Sequence, residues 1–495
     1  MTPVVRTSSG ALRGEPCAHG TAFLGVPYAA PPVGALRLLP PEPAQAWDGV
    51  RDAVAFGPPA PQPVRELPGV DFAPLFGERW TGQDTELTLN VWTPDPGGSG
   101  LPVIVFLHGG AFVAGSTTAP MYSGDAFARD GVVAVSVVYR LGLEGFLSPE
   151  GGVGNLGLHD QLAALRWVQQ EIGAFGGDAG NVTVCGQSAG AMSLDLLLGS
   201  PRSRGLLRRA ISQSGGVSLT LSPEQGARVA RAYSEQLGVP PTREGFAGVT
   251  LARTIAGQAE LPPASVDLTT AEDTDPSAGM LLLLPVRDGD VVADDPLAAV
   301  GGEVDLLIGD TLEEGNLYLV GMPGFDQVPE QAARDLAARN HPDPDALIAA
   351  YRAARPQASG GELMAQILTD AMFRIPSGQL AEAHARAGGR TWVYEFAWRS
   401  GALGGRLGAC HAIDLPFTFD TLSAPGLVGE EQMLGPAGGP QELATRTHQA
   451  WVRFARDGDP GWTRFDVERR ASMRIDETWQ ELGDPGAAMR RAWGV

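Results

Sequence analysis

The chain contains no lysine, so all 36 of its basic residues are arginine, and 57 carboxylates outnumber them. The formal charge of −21 repels phosphate and anionic headgroups, which argues against nucleic acid and the membrane surface as partners. Cysteine is nearly as scarce. Cys17, Cys185 and Cys410 cannot all pair, stand far apart, and have no metal-ligand spacing. Neither a disulfide framework nor a metal site is expected, and a reducing compartment suits them. The opening stretch, MTPVVRTSSGALRG, has no basic region followed by an apolar one, so it does not read as a secretion signal. No apolar run reaches the length of a membrane span. A cytoplasmic location follows as the expectation. The glycines at 151–154 lack the strand and spacing of a dinucleotide loop, so no cofactor is expected.

What is present is a long chain of ordinary globular make-up, 43% hydrophobic and 19% charged over 495 residues. Residues 3–14 read as a short hairpin turning at Ser9-Gly10, and the Pro-rich stretch 26–69 as an ordered surface loop. Runs typical of buried strands then appear at 88–92, 102–107, 132–138, 182–185, 209–212, 304–308 and 391–396. Between 158 and 168, Leu158, Leu162, Leu165 and Val168 recur at helical spacing, and Gly173 and Gly176-Gly177 stop that helix. Strands alternating with helices predict an α/β fold with a doubly wound, mostly parallel central sheet. Residues of roughly 222–280 and 328–388 read as helical insertions around that sheet, within one domain spanning 1–495.

Residues 186–190 read Gly-Gln-Ser-Ala-Gly. In a chain with 66 glycines the pentapeptide alone says little, and an idle Ser in a Gly-rich turn is the plain alternative. Its setting says more. The apolar strand 182–185 runs straight into it, and 189–198 can begin a helix at once, which is the strand–turn–helix placement a nucleophilic Ser188 requires. Glycines at 186 and 190 relieve the crowding where strand and helix meet. Residues 108–112, His-Gly-Gly-Ala-Phe, follow the strand 102–107. Such a loop supplies backbone N–H groups to an oxyanion, and the natural donors are Gly110, Ala111 and Ala189.

With these residues in place, the chain resembles the type-B carboxylesterase/cholinesterase family. FGGDAGNVTVCGQSAG at 175–190 matches its nucleophile signature, and FLGVPY at 23–28, YRLGLEGFLS at 139–148, NLGLHDQ at 155–161 and FARDGDP at 454–460 follow the same pattern. Two departures stand out. Glu86 occupies a position where secreted relatives often carry a cysteine, and Gln187 stands where the family usually has Glu.

The resemblance implies an α/β-hydrolase that cleaves carboxylic esters through an acyl-enzyme, with nucleophile, acid and base in that chain order; hydrolysis of an amide, carbamate, thioester or lactone by the same machinery, or a noncatalytic binding role, are the alternatives. Of the seven His, His384 and His448 fall in helical patterns and read as solvated, and His341 opens a Pro/Asp-rich loop. His411 lies in a loop after the strand near 391–397 and matches the family's histidine motif, with Asp414, Phe417 and Phe419 in register. Asp310, Glu313 and Glu314 all follow strand 304–308, and the residues alone leave the acid open among them. The family's acid precedes a Gly, which carries over to Glu314. Phe112 and Phe417 adjoin the motifs and are candidates to line the substrate site. Small neutral esters are the expected substrates, since the net charge disfavours anions.

Overall fold

The apolar runs become strands buried on both faces. The computed structural model describes residues 3–66, 68–71 and 73–495. Its strands, in chain order, are β1 (Val4–Arg6), β2 (Ala11–Arg13), β3 (Glu15–Cys17), β4 (Gly20–Pro27), β5 (Val50–Asp52), β6 (Thr88–Thr93) and β7 (Leu101–Leu107). They continue as β8 (Val133–Val137), β9 (Gly177–Gln187), β10 (Arg209–Gln213), β11 (Asp305–Thr311), β12 (Thr391–Phe396), β13 (Ala471–Ile475) and β14 (Gln480–Gly483). The large sheet runs β14-β13-β12-β11-β10-β9-β7-β8-β6-β4-β3, and β1, β2 and β5 form a small separate one.

From β8 through β7 to β13 every pairing is parallel, and both edges are antiparallel. Alternate residues of a strand serve opposite faces. Val103, Val105 and Leu107 of β7 join one core while Ile104 and Phe106 join the other, and Val184 and Cys185 of β9 divide likewise. Two covered faces explain why these strands read as continuous apolar runs rather than alternating ones. The strand order reverses at β7, which has β8 on one side and β9 on the other. In open α/β sheets that reversal opens a crevice at the carboxyl ends of the strands.

The hairpin at the N-terminus forms as β1 and β2, and the helix Leu156–Glu171 buries Leu158, Leu162, Leu165 and Val168. Helices Pro223–Leu237, Arg243–Ala247 and Leu251–Glu260 lie between β10 and β11, and Glu330–Asn340, Pro344–Ala354, Gly360–Thr369 and Ile375–Arg386 between β11 and β12. The first excursion leaves and rejoins the fold at one place. Leu221 N–H donates to Pro285 O at 2.8 Å, and Arg287 N–H donates to Leu221 O at 2.8 Å. Asn155 reinforces that junction by bonding the backbone of Val286 with both ends of its amide.

Three expectations need correction. The stretch 26–69 is not loop throughout: its start completes β4, and Val50–Asp52 pairs with β2 as β5. The strands β3, β13 and β14 were not foreseen. His384 and His448 are fully buried rather than solvated. His384 is held by Thr391 Oγ1 at 2.7 Å and Val304 O at 2.8 Å, and His448 by Thr418 O at 2.8 Å and Asp130 at 3.0 Å. A helix pattern shows that a residue is helical without showing what packs on it.

Candidate active site

Strand β9 delivers Ser188 to the reversal point in a backbone state that few residues adopt, with φ 56° and ψ −127°, and the helix Ala189–Leu198 starts immediately. Its N–H is bonded to Gln213 O of the neighbouring strand at 2.9 Å, which fixes the turn. Both flanking glycines are required by space. A Cβ on Gly186 would sit 2.4 Å from Gly190 O, and one on Gly190 would sit 2.1 Å from Leu107 O.

The loop after β7 lies against this turn. Gly110, Ala111 and Phe112 all have positive φ, at 121°, 56° and 63°. For Ala111 and Phe112 that conformation carries strain, and a run of it turns successive N–H groups to one side. Among the described residues neither the Gly110 nor the Ala111 N–H donates to a protein acceptor. Ala189, as the first residue of its helix, has an N–H with no intrahelical partner. Three unsatisfied backbone donors thus flank Ser188. His108 shapes the loop: its ring stacks on Tyr139 at 4.5 Å, and burial pushes its pKa down to about 4, so it is neutral.

His411 and Glu314 meet across the ends of β11 and β12. The imidazole Nδ1 donates to Glu314 Oε2 at 2.5 Å. Glu314 has no exposed surface and His411 has 3%. The other carboxylate oxygen, Oε1, accepts from Ser214 Oγ at 2.7 Å and from Thr311 N–H at 2.6 Å. With its proton on Nδ1, the imidazole offers a lone pair at Nε2, where the Gln187 amide donates at 3.1 Å. Glu313, one residue earlier, turns the opposite way, to an ion pair with Arg399 and the N–H of Ala409 at 2.9 Å. It holds the loop that carries His411 without reaching the ring.

The structure thus joins His411 to Glu314 directly, sets Ser188 next to the Gln187 whose amide meets the imidazole, and packs the loop of Gly110 and Ala111 against the Ser188–Ala189 turn. Phe112 and Phe417 do not present a face to a ligand. Each has no accessible surface. Phe112 packs edge-on against Phe146 at 4.9 Å, and Phe417 lies against Phe396 and Trp398. The rings that touch the imidazole are Phe373 at 4.6 Å and Tyr318 at 5.6 Å. Sequence reasoning missed both, along with Ser214. Phe373 sits in a π-helical turn, Asp370–Arg374, that interrupts two α-helices. Such widened turns frequently mark functional positions. No group of three or more His, Cys, Asp or Glu among the described residues could hold a metal ion.

The chain and its fold have known counterparts. The profile of the Carboxylesterase family matches residues 1–489, and the chain belongs to that family. It is 35% identical to a phenmedipham hydrolase of Pseudarthrobacter oxydans over 99% of this chain and 97% of that one. With the para-nitrobenzyl esterase of Bacillus subtilis it shares 32% identity, covering 99% and 98% of the two chains. A solved carboxylesterase of Geobacillus stearothermophilus superposes with a TM-score of 0.85 at 34% identity over 99% of each chain. The fold is that of the α/β-hydrolases, and the protein is a carboxylic ester hydrolase.

Proposed function

We propose that this chain hydrolyses small neutral carboxylic esters through an acyl-enzyme on Ser188. The observation that carries the reading is the buried Nδ1–H bond from His411 to Glu314, beside a serine at a strained turn flanked by three free backbone donors. His411 Nε2 takes the Ser188 hydroxyl proton as Oγ attacks the ester carbonyl, the hydroxyl replacing the Gln187 amide as partner of that lone pair. The Gly110, Ala111 and Ala189 N–H groups receive the oxyanion as it forms, where preorganised dipoles count most. His411 returns the proton to the departing alcohol, and water then repeats the sequence to release the acid. Glu314 fixes the tautomer and offsets the charge of the imidazolium.

A fluorophosphonate should label Ser188 with one adduct per chain and abolish ester turnover. Ser188→Ala should lose activity by a factor of about 10⁴ or more. An adduct mapped to another residue, or an active Ser188→Ala, overturns the mechanism. Chelators and reductants should leave turnover unchanged, and an EDTA loss restored by zinc or calcium would contradict the metal-free chemistry.

A further inference from the structure

A second cavity opens between β11, β12, the helix Ile375–Arg386 and the C-terminal helix Ala487–Ala492, with a volume of about 120 Å³. Ile308, Ile375, Ala381, Val393, Phe465 and Met489 make its walls apolar. One carboxylate, Asp310, lies among them at 9% exposure. Its Oδ1 accepts from Ser377 Oγ at 2.8 Å, and no cation among the described residues forms an ion pair with it. Cations are near, but each is committed elsewhere. Arg374 gives one Nη to Asp370 at 2.6 Å and the other to Leu312 O at 2.7 Å. At the mouth, Arg470 pairs with Glu382 at 2.8 Å and Arg490 with Asp484 at 2.6 Å, while Glu395 is held by Arg474 at 2.6 Å. Among the described charged side chains that line the cavity, Asp310 alone has no ion-pair partner.

We propose that this cavity is a binding site for a small primary ammonium ion on an aromatic or alicyclic body, with the ammonium paired to Asp310 and the ring against the apolar walls. An apolar void of about 150 Å³ accommodates benzene, so this one, at about 120 Å³ and open on one side, takes the ammonium and the near part of a single ring, whose far edge lies in the opening. A buried carboxylate without a cation is held neutral, because an uncompensated charge in such surroundings is costly. Burial, and then the nearby Glu314 charge, push the Asp310 pKa up to about 8, with Glu395 adding to this and Ser377 and Arg374 opposing it. Tyr394, also buried beside Asp310, has its own pKa raised well above the usual value and remains neutral. Pairing reverses the balance: as the ammonium docks, Asp310 gives its proton to the buffer and becomes the anion of the pair. Benzylammonium is the probe and benzyl alcohol its uncharged counterpart.

Isothermal titration of the full chain tests this. About one proton should leave per benzylammonium bound at pH 7, and the affinity should rise roughly tenfold per pH unit up to about pH 8. Asp310→Asn keeps the acceptor for Ser377 and should bind at least tenfold more weakly, with no pH dependence. A second variant acts on space instead of charge. A Cβ at Gly378, which lines the cavity, meets nothing within 4 Å, so Gly378→Leu fills the void from a helix and should abolish binding. Benzyl alcohol should bind wild type and Asp310→Asn alike. Equal benzylammonium affinity in wild type and Asp310→Asn, binding that survives Gly378→Leu, or simple competition with an ester substrate overturns the proposal. These readouts follow binding alone, so they stand whether or not Ser188 proves to be the nucleophile.

Discussion

Asp310 and Glu314 stand four residues apart at the end of β11, and both are buried. Their surroundings differ completely. Glu314 meets three donors, the His411 ring, the Ser214 hydroxyl and the Thr311 N–H. Asp310 meets one hydroxyl and a wall of hydrocarbon. Burial alone does not give a carboxylate its role. The number of protons aimed at it decides whether it works as an anion or is pushed toward the neutral acid.

The largest effect should follow from removing the anion. Glu314→Gln should cut kcat by about 10³ to 10⁴ while leaving the thermal melt cooperative, since an amide cannot balance an imidazolium. The amide also cannot satisfy its neighbours. If its oxygen faces the ring, its NH₂ confronts the Thr311 N–H, and if it turns over, it favours the wrong tautomer. A Glu314→Gln enzyme within tenfold of the parent would remove Glu314 from the chemistry.

Next comes the unpaired acid. Asp310 has a folded pKa raised to about 8 from 3.8. Between those limits the unfolded chain has released its proton and the folded chain has not. Stability is therefore lost as pH rises from about 4 to 8, by roughly 1.4 kcal/mol per unit at most, and levels off above. Asp310→Asn escapes that loss. Its melting temperature should match wild type near pH 4 and exceed it increasingly toward pH 8.5. Parallel melting curves across that range would show that Asp310 is not the neutral group described.

The smallest effect belongs to Glu313. Glu313→Gln keeps an oxygen for the Ala409 N–H and loses the ion pair to the half-exposed Arg399, an arrangement worth little beside water. kcat should stay within about fivefold of the parent, since neither nitrogen of His411 loses a partner. If Glu313→Gln fell further than Glu314→Gln, the assignment of the two carboxylates would be reversed.

Legibility followed the range of the interaction. Local sequence carries the turn at Gly-Gln-Ser-Ala-Gly, the Gly-Gly-Ala loop and the strands with two covered faces, because each depends on neighbours a few residues away. Resemblance to the family then selected His411 and Glu314, which residue chemistry alone had left among several choices. Ser214, Phe373 and Tyr318 were invisible because what recruits them is contact across long separations; Ser214 and Glu314 stand 100 residues apart. The edge strands were missed for another reason. β14 reads Gln-Glu-Leu-Gly and β3 reads Glu-Pro-Cys, each with no buried position, so neither carries a clean period. Phe112 and Phe417 misled because an aromatic beside a motif looks the same whether it faces a ligand or the core.

The junction of Leu221 with Pro285 and Arg287 bears on how this chain tolerates changes in length. Everything from 222 to 285 departs and returns at that one clasp, which Asn155 holds from a third direction. Val229, Tyr233, Phe246 and Leu268 inside it belong to the main core, so tolerance is confined to its exposed turns, where added residues leave the pairing of β10 with β11 unstretched. Closing a longer excursion costs only about 0.6 kcal/mol for each doubling. Such a turn is where the protein can gain sequence cheaply, and a short polar peptide spliced between Ala271 and Glu272, both exposed, should leave both melting temperature and ester turnover close to the parent.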